Sequence, residues 1–290
     1  MVTGSAGFIG KAMTETLLAA GHKVIGIDRI PQPSRPGLTV LTADLMDDDE
    51  LVRAALEDAD AVYHLAGRPG VRDHRPGIEW HRHRDNVLAA ARVLAVVPRR
   101  VPVVVASSSS VYGGARHGRP SAETDTLRPL GGYARSKARL EALCAGRPTT
   151  IVRPFTVAGE GQRPDMALSI WLAAAVAGRP LRVLGSPERT RDLTDVRQAA
   201  RALVDLTGMP GVVNLGTGRG HTLRAMAAAV ATVTGTDVAL VVEPASGAEP
   251  HDSLADTRRL RSLIGWTPET DLLAVIRRQH ATSGELVGAV

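Results

Sequence analysis

Short β-type apolar runs alternate with stretches of helical apolar spacing through the first half of the chain. Met1-Val2 leads into a turn with glycines at Gly4, Gly7 and Gly10, after which Lys11 to Ala20 repeats apolar residues at helical spacing and stops at Gly21. Lys23 to Ile27 is the next β-type run and ends in Asp28. Thr39 to Ala43 predicts a third strand running into Asp44-Leu45, and Asp47 to Leu56 a helix with acidic residues at its start. Ala61 to Gly67 reads as a fourth strand, Asp85 to Val97 as a long helix, and Pro102 to Ala106 as a buried fifth strand that delivers Ser107-Ser108-Ser109-Ser110 to the carboxyl edge of a sheet. Strands alternating with helices as far as residue 153 predict an α/β fold with a doubly wound parallel sheet.

Past residue 153 the pattern loosens. It keeps one strongly apolar helix (Met166 to Ala177), β-type runs at 212–215 and 237–242, and helices near 256–264 and 270–279. The expected organisation is a nucleotide-binding domain over 1–153 and a smaller C-terminal substrate lobe over 154–290. The two are interleaved, because the run at 212–215 is expected to join the first sheet. No internal repeat or low-complexity linker is present.

At 44% hydrophobic and 22% charged residues, the composition is that of an ordinary globular protein and argues against disorder. The net charge of +5 comes from scattered arginines. Only Arg99-Arg100 and Arg258-Arg259 with Arg261 are dense, and neither resembles a nucleic-acid arm, whereas an anionic small molecule would suit the charge. Cys144 is the single cysteine, so neither an intrachain disulfide nor a cysteine metal cluster can form within one chain. His64, His74, His81 and His83 lack ordered ligand spacing, and no metal is expected. The start shows no export signal, and the apolar helix falls short of the roughly 20 residues needed to span a bilayer. The expectation is a cytoplasmic protein without membrane contact.

The candidate chemistry lies at two places. The glycine turn, with Phe8 and Ile9 between its last two glycines, lets the backbone approach a pyrophosphate at a helix N-terminus. Asp28, 18 residues past Gly10, would grip a ribose diol and repel a 2′-phosphate, which favours NAD; Arg29 beside it could attract that phosphate, as in NADP. Ligands of such sheets sit outside the carboxyl ends of the strands, so Leu65, Ala66 and Gly67 should border the cofactor. The second place is Tyr133-Ala134-Arg135-Ser136-Lys137. Tyr133 and Lys137 share a helix face, and an ammonium there would lower the phenol's pKa from its usual ~10. Only three of the 35 basic side chains are lysines, which makes a lysine at this position informative.

Together these residues resemble the extended short-chain dehydrogenase/reductase family, in its nucleotide-sugar epimerase/dehydratase branch, and the match covers nearly the whole chain. The resemblance implies a Rossmann-like fold, NAD as cofactor and a nucleotide-sugar substrate. Ser108-Ser109-Ser110-Val111-Tyr112-Gly113 is similar to the family's serine/threonine motif, which makes Ser108 the catalytic hydroxyl beside Tyr133 and Lys137. It further implies Asp44-Leu45 near the adenine, Asn86 bracing the site, Pro154 beside the cofactor and Arg191 on the nucleotide's phosphates; the alternative for Arg191 is a surface pair with Asp192. Asp195-Val196-Arg197-Gln198 departs from the family's usual Tyr-Val-Asp-Asp, and the first strand is unusually short at Met1-Val2.

Dehydratases of the 4,6 type carry Asp-Glu where this chain has Ser109-Ser110, which lowers that reading. Epimerisation needs only Tyr133, Lys137, Ser108 and a retained NAD: the phenolate takes the 4-hydroxyl proton as hydride leaves C4, and the keto-sugar turns over before hydride returns. A one-way ketoreductase remains the alternative, and a silent dinucleotide-binding regulator a remote one. Thr156, Arg163, Ser109 and Arg72 resemble positions of UDP-glucuronate 4-epimerases, the first three of which meet the sugar carboxylate. An epimerase of neutral sugars stays open beside it. Relatives pair as homodimers through helices corresponding to 85–97 and 133–145, which points to Leu88, Ala91, Ala95, Leu140, Leu143 and Cys144.

Overall fold

A computed structural model describes residues 1–115, 118–245 and 251–287. The first half is a parallel sheet whose strands are β1 (Val2–Thr3), β2 (Val24–Asp28), β3 (Leu38–Thr42), β4 (Val62–His64), β5 (Val103–Ala106) and β6 (Thr149–Pro154). Between them run α1 (Phe8–Ala19), α2 (Glu50–Glu57), α3 (Ile78–His83), α4 (Ala89–Val96) and α5 (Gly131–Leu143). The fold is Rossmann-like, with helices on both faces of the sheet. Strand order is 3-2-1-4-5-6, and β10 (Gly211–Leu215) adds a seventh parallel strand beyond β6, with Asn214 opposite Arg153. Order reverses between β1 and β4, and the carboxyl ends beside that reversal open the crevice in which ligands of such sheets lie.

The central strands are buried on both faces, which is why they read as continuous apolar runs rather than alternating ones. Val104 and Val152 face α1 and α7 (Val196–Asp205), where Met13, Leu17, Ala199 and Leu203 pack; Val103, Val105 and Ile151 face α2, α4 and α5 through Val52, Val93 and Leu140. The helix expected from Asp85 starts instead at Ile78 and is interrupted by one π-helical turn, Arg84–Leu88. That turn points Asp85 and Asn86 inward, at 5% and 1% exposure.

The rest of the chain forms β7 (Thr156–Ala158), α6 (Ala167–Val176), β8 (Leu181–Leu184), β9 (Thr190–Asp195), β11 (Gly220–Thr222), α8 (Leu223–Thr234), β12 (Leu240–Glu243), β13 (Asp252–Ser253), α9 (Arg258–Ile264) and α10 (Leu272–Val287). β9 is the hub of a small second sheet, pairing with β7, β11 and β13, while β8 pairs with β12. Trp171, Leu172, Met226, Val230 and Ile276 of α6, α8 and α10 make a separate apolar core. This lobe stands over the carboxyl edge of the large sheet.

Candidate active site

A cleft of about 820 Å³ runs between the sheet's carboxyl edge and the lobe. One end is built by the glycine turn. Gly4 takes φ +74°, and a Cβ there would lie 2.6 Å from the Ala66 nitrogen, while one on Gly10 would lie 2.0 Å from the Gly4 carbonyl oxygen. Only glycine lets the turn close onto β4 and α1 onto the turn. Gly7 caps α1 without a side-chain acceptor, so the helix's first N–H groups remain available to an anion. Asp28 ends β2 against this turn: its Oδ2 accepts from the Ala6 N–H at 3.0 Å and its Oδ1 from the Ile30 N–H at 3.0 Å. Carboxylate oxygens have further lone pairs, so the pair can also accept from a diol. Arg29 lies 3.2 Å from Asp85 and 3.5 Å from Asp44, and Arg84 and Arg68 complete the cluster at 2.7–2.9 Å. Both acidic groups facing Arg29 therefore compensate it, which weakens its pull on a 2′-phosphate. Arg29, Arg68 and Arg84 hold the Asp85 carboxyl below the ordinary range against the effect of burial, and Arg84 with Arg29 acts likewise on Asp44. These residues fit a dinucleotide whose ribose carries no 2′-phosphate.

Phe8, Ile9, Leu45, Leu65, Ala66, Gly67 and Pro154 line the same end. Asn86, expected to brace the site, is not in this lining. It is 1% exposed, its Oδ1 accepts from the Arg68 N–H at 2.7 Å, and its Nδ2 donates to the Arg68 carbonyl at 3.1 Å and to Ser136 Oγ at 2.8 Å. It fixes the loop after β4 and braces α5. A Cβ on Gly67 would lie 2.5 Å from that Oδ1, so the loop and Asn86 fit only with glycine there.

At the middle of the cleft Ser108 ends β5's extension in extended conformation, its Oγ accepting from the Ser110 N–H at 3.2 Å. The same hydroxyl lies near the Tyr133 phenol and draws its pKa down. Desolvation is the larger influence and raises it, while the charges of Arg163 and Arg82 help to lower it; the net displacement is upward. The expectation that Lys137 by itself produces a low-pKa phenol is therefore corrected. Lys137 is buried, its Nζ donates to the Ala106 carbonyl at 2.8 Å, and burial lowers its own pKa to about 8 against the raising effect of Glu141.

The lobe contributes the other wall. Thr156 on β7, Ser109, Arg72, Arg163 and Arg191 all line the cleft. Arg163 forks onto Asp165, Nε to Oδ1 at 2.8 Å and Nη2 to Oδ2 at 2.9 Å, and Arg72 adds its charge to the same carboxylate. The alternative of an Arg191–Asp192 surface pair is excluded. Asp192 is fully buried and accepts from the Thr217 N–H and hydroxyl, the Gly218 N–H and the Ala255 N–H at 2.7–3.0 Å, whereas Arg191 points into the cleft and donates to the Thr190 and His251 carbonyls. Strand alternation separates the two neighbours.

Sequence reasoning missed Arg82, Glu141 and Asp165. Arg82 is 2% exposed and holds the loop on both sides of Arg72 through the Gly70 and Asp73 carbonyls, at 2.6 and 2.7 Å. Its place in the run His81-Arg82-His83 looks like a solvated surface. Among the described residues no group of three or more potential metal ligands occurs. No helix among them is long and apolar enough to cross a membrane.

A glycine-cradled nucleotide pocket that meets a Ser-Tyr-Lys set defines a dinucleotide-dependent enzyme acting at a carbinol carbon. The chain belongs to the NAD dependent epimerase/dehydratase family, whose sequence profile matches residues 1–216. Among solved structures it is similar to MoeE5 in complex with UDP-glucuronic acid and NAD, at 34% identity and a TM-score of 0.87, covering 98% of each chain. UDP-glucuronic acid 4-epimerase from Bacillus cereus, solved with UDP-glucuronic acid and NAD, superposes with a TM-score of 0.90 at 25% identity, again over 98% of each chain. A Rhizobium meliloti protein named "Probable UDP-glucuronate 4-epimerase" is 33% identical over 238 residues, 72% of this chain and 68% of its own.

Proposed function

We propose that this chain is a nucleotide-sugar 4-epimerase that retains NAD and inverts C4 of a UDP-hexose, with UDP-glucuronate as its substrate. The observation that carries the reading is a single cleft lined by Ser108, Tyr133 and Lys137 together with Thr156 and Arg163. Ser108 and Tyr133 line the same part of the cleft, so a 4-hydroxyl bound there would be held by Ser108 while its proton passes to the Tyr133 oxygen. Lys137 supplies positive charge behind the phenol. NAD, when bound, would supply an acceptor and later a donor for the hydrogen and two electrons lost from C4. Ser109, Thr156 and Arg163 would hold the substrate's carboxylate, and Arg191 its phosphates, since a guanidinium fork matches either group. Support for UDP-glucuronate comes from the ligands and names of the two similar structures and the Rhizobium relative.

A neutral UDP-hexose is the second reading, favoured by the Arg163–Asp165 fork, which already satisfies two of the guanidinium's donors. A panel of nucleotide sugars incubated without added cofactor and followed by NMR for C4 inversion tests both. NAD released on denaturation should approach one per chain. Turnover only with added reduced cofactor would replace the epimerase by a ketoreductase. We further read the protein as a homodimer through the outer faces of α4 and α5, and as cytoplasmic, in keeping with one buried free thiol at Cys144.

A further inference from the structure

Beneath the Ser-Tyr-Lys set lies a buried charged pair that the proposed reaction does not itself use. Arg153 on β6 and Glu141 on α5 have side-chain exposures of 4% and 8%. The guanidinium forks onto the carboxylate, Nε to Oε1 at 2.9 Å and Nη2 to Oε2 at 2.6 Å. Ser107 Oγ donates to the same Oε1 at 2.5 Å. On its other side Arg153 donates to the Tyr112 hydroxyl at 2.7 Å, which donates to Asn214 Oδ1 at 2.7 Å. Ser107 and Tyr112 bracket Ser108, and Glu141 lies one helical turn beyond Lys137, two turns beyond Tyr133. One ion pair thus ties both ends of the serine segment to the helix that carries the phenol and the ammonium.

We propose that Glu141 and Arg153 are positioning residues for proton transfer, setting Ser108 against Tyr133 and giving the buried Lys137 ammonium its counter-charge. The proposal rests on reading Ser108, Tyr133 and Lys137 as the proton-transfer set. A buried ion pair is weak ground for stability alone, because desolvation offsets its attraction, so its connection to both catalytic segments suits a positioning role better. Lys137 is faced by Glu141 on its own helix, by the Ala106 carbonyl of β5, and by His64 of β4, which burial keeps neutral with its pKa lowered to about 3. Burial lowers the Lys137 pKa and Glu141, the anion beside it among the described residues, raises it. Replacing Glu141 with a neutral amide removes the support and leaves the Arg153 charge uncompensated nearby. Both changes shift the Lys137 deprotonation to lower pH.

Glu141→Gln keeps the side chain's shape and an acceptor for Ser107. With circular dichroism and bound NAD unchanged, kcat should fall ~10- to 100-fold while KM changes less than threefold. The alkaline limb of the kcat profile should move about one pH unit toward acid, an effect of the size that one lost neighbouring charge produces. Ser107→Ala cuts only the hydroxyl link and should lower kcat about tenfold without moving that limb. It carries the test if Glu141→Gln does not fold. A wild-type kcat in both variants, or a loss in Glu141→Gln that follows lost cofactor with the limb unmoved, overturns the proposal; so does a wild-type kcat in Ser107→Ala where it is the only variant that folds. Tyr133→Phe is the control: if it stays active, the underlying acid–base reading fails, whereas an inactive Tyr133→Phe beside a normal Glu141→Gln refutes this inference alone.

Discussion

At Arg163 the guanidinium is already bidentate with Asp165, so an acidic substrate would have to share it with a carboxylate 2.8 Å away. The charge of Arg72 beside Asp165 makes that sharing feasible, because two cations then face one fixed anion. Arg163→Ala should lower kcat/KM on UDP-glucuronate ~100-fold, the size of one or two lost charge-assisted bonds, and on UDP-glucose less than tenfold. Equal losses on the two sugars would remove the carboxylate role. Lys137 offers a stability test. Its folded pKa lies at about 8 against 10.5 in the unfolded chain, so the unfolded state holds the proton more tightly between those values and stability rises with pH across that window. Below pH 8 the buried ammonium costs about 3 kcal/mol. Lys137→Met, losing about 1 kcal/mol with the Ala106 hydrogen bond, should then stabilise the fold by ~2 kcal/mol at pH 7 and lose that advantage by about pH 10, while turnover disappears. Urea melts at the two pH values and matched cofactor content check it; destabilisation at pH 7 would contradict the burial argument. That Tyr133, Lys137 and Ser108 share one cleft was legible because the first two lie four apart on one helix face and the third follows a strand end. Glu141 was not, since nothing near it in sequence names Arg153, the partner that explains it; for Asn86, named from sequence, the partners Arg68 and Ser136 appear only in the fold.

The elements divide by length in the same way. β2, β3 and β5 are four or five residues long, and α1 and α5 at least twelve, enough to show a period. The lobe's β7, β11 and β13 have three, three and two residues, too few for any alternation, and exist because each pairs with β9. α7 and α8 also went unread. α8 is alanine-rich, whereas α7 carries Val196, Ala199, Ala200 and Leu203 at helical spacing with Arg197, Gln198 and Arg201 on the other face, a legible period that went unread. β9 itself depends on Asp192, whose carboxylate gathers the 217–218 loop and Ala255 onto the strand. Asp192→Ala leaves the Thr217, Gly218 and Ala255 N–H groups without that acceptor, the last of them buried, and should cost about 3 kcal/mol in denaturant melts, with the lobe's amides losing hydrogen-exchange protection before the large sheet's. A change under 1 kcal/mol would mean that water replaces the carboxylate.

On the scale of the whole molecule, the cleft depends on two bodies held edge to edge: the sheet supplies the nucleotide pocket and the Ser-Tyr-Lys set, and the lobe supplies Thr156, Arg163 and Arg191. Chain crossing holds them together, because α7 packs on the large sheet and β10 joins it beside β6 after β7, α6, β8 and β9 have built much of the second body. What faces outward decides association. Leu140 and Cys144, named from sequence as dimer contacts, are corrected: at 1% and 4% exposure they pack on the sheet with Val93 and Val105. Leu143 at 39% and Trp80 at 59% exposure remain outside, beside the half-buried Leu88 and Ala91 and the exposed Ala95. Apolar side chains on neighbouring helices fit a self-complementary two-fold contact, which for a stable dimer buries ~1,200–2,000 Å² in total. Light scattering at micromolar concentration should therefore give twice the 30.5 kDa chain mass. Leu143→Arg, at a position outside the core, should return the mass to that of one chain while leaving circular dichroism and bound NAD unchanged, since the charge can stay solvated in the monomer but is buried in the dimer. A monomeric wild type would refute the dimer, and a Leu143→Arg variant that stays dimeric would move the interface away from α5.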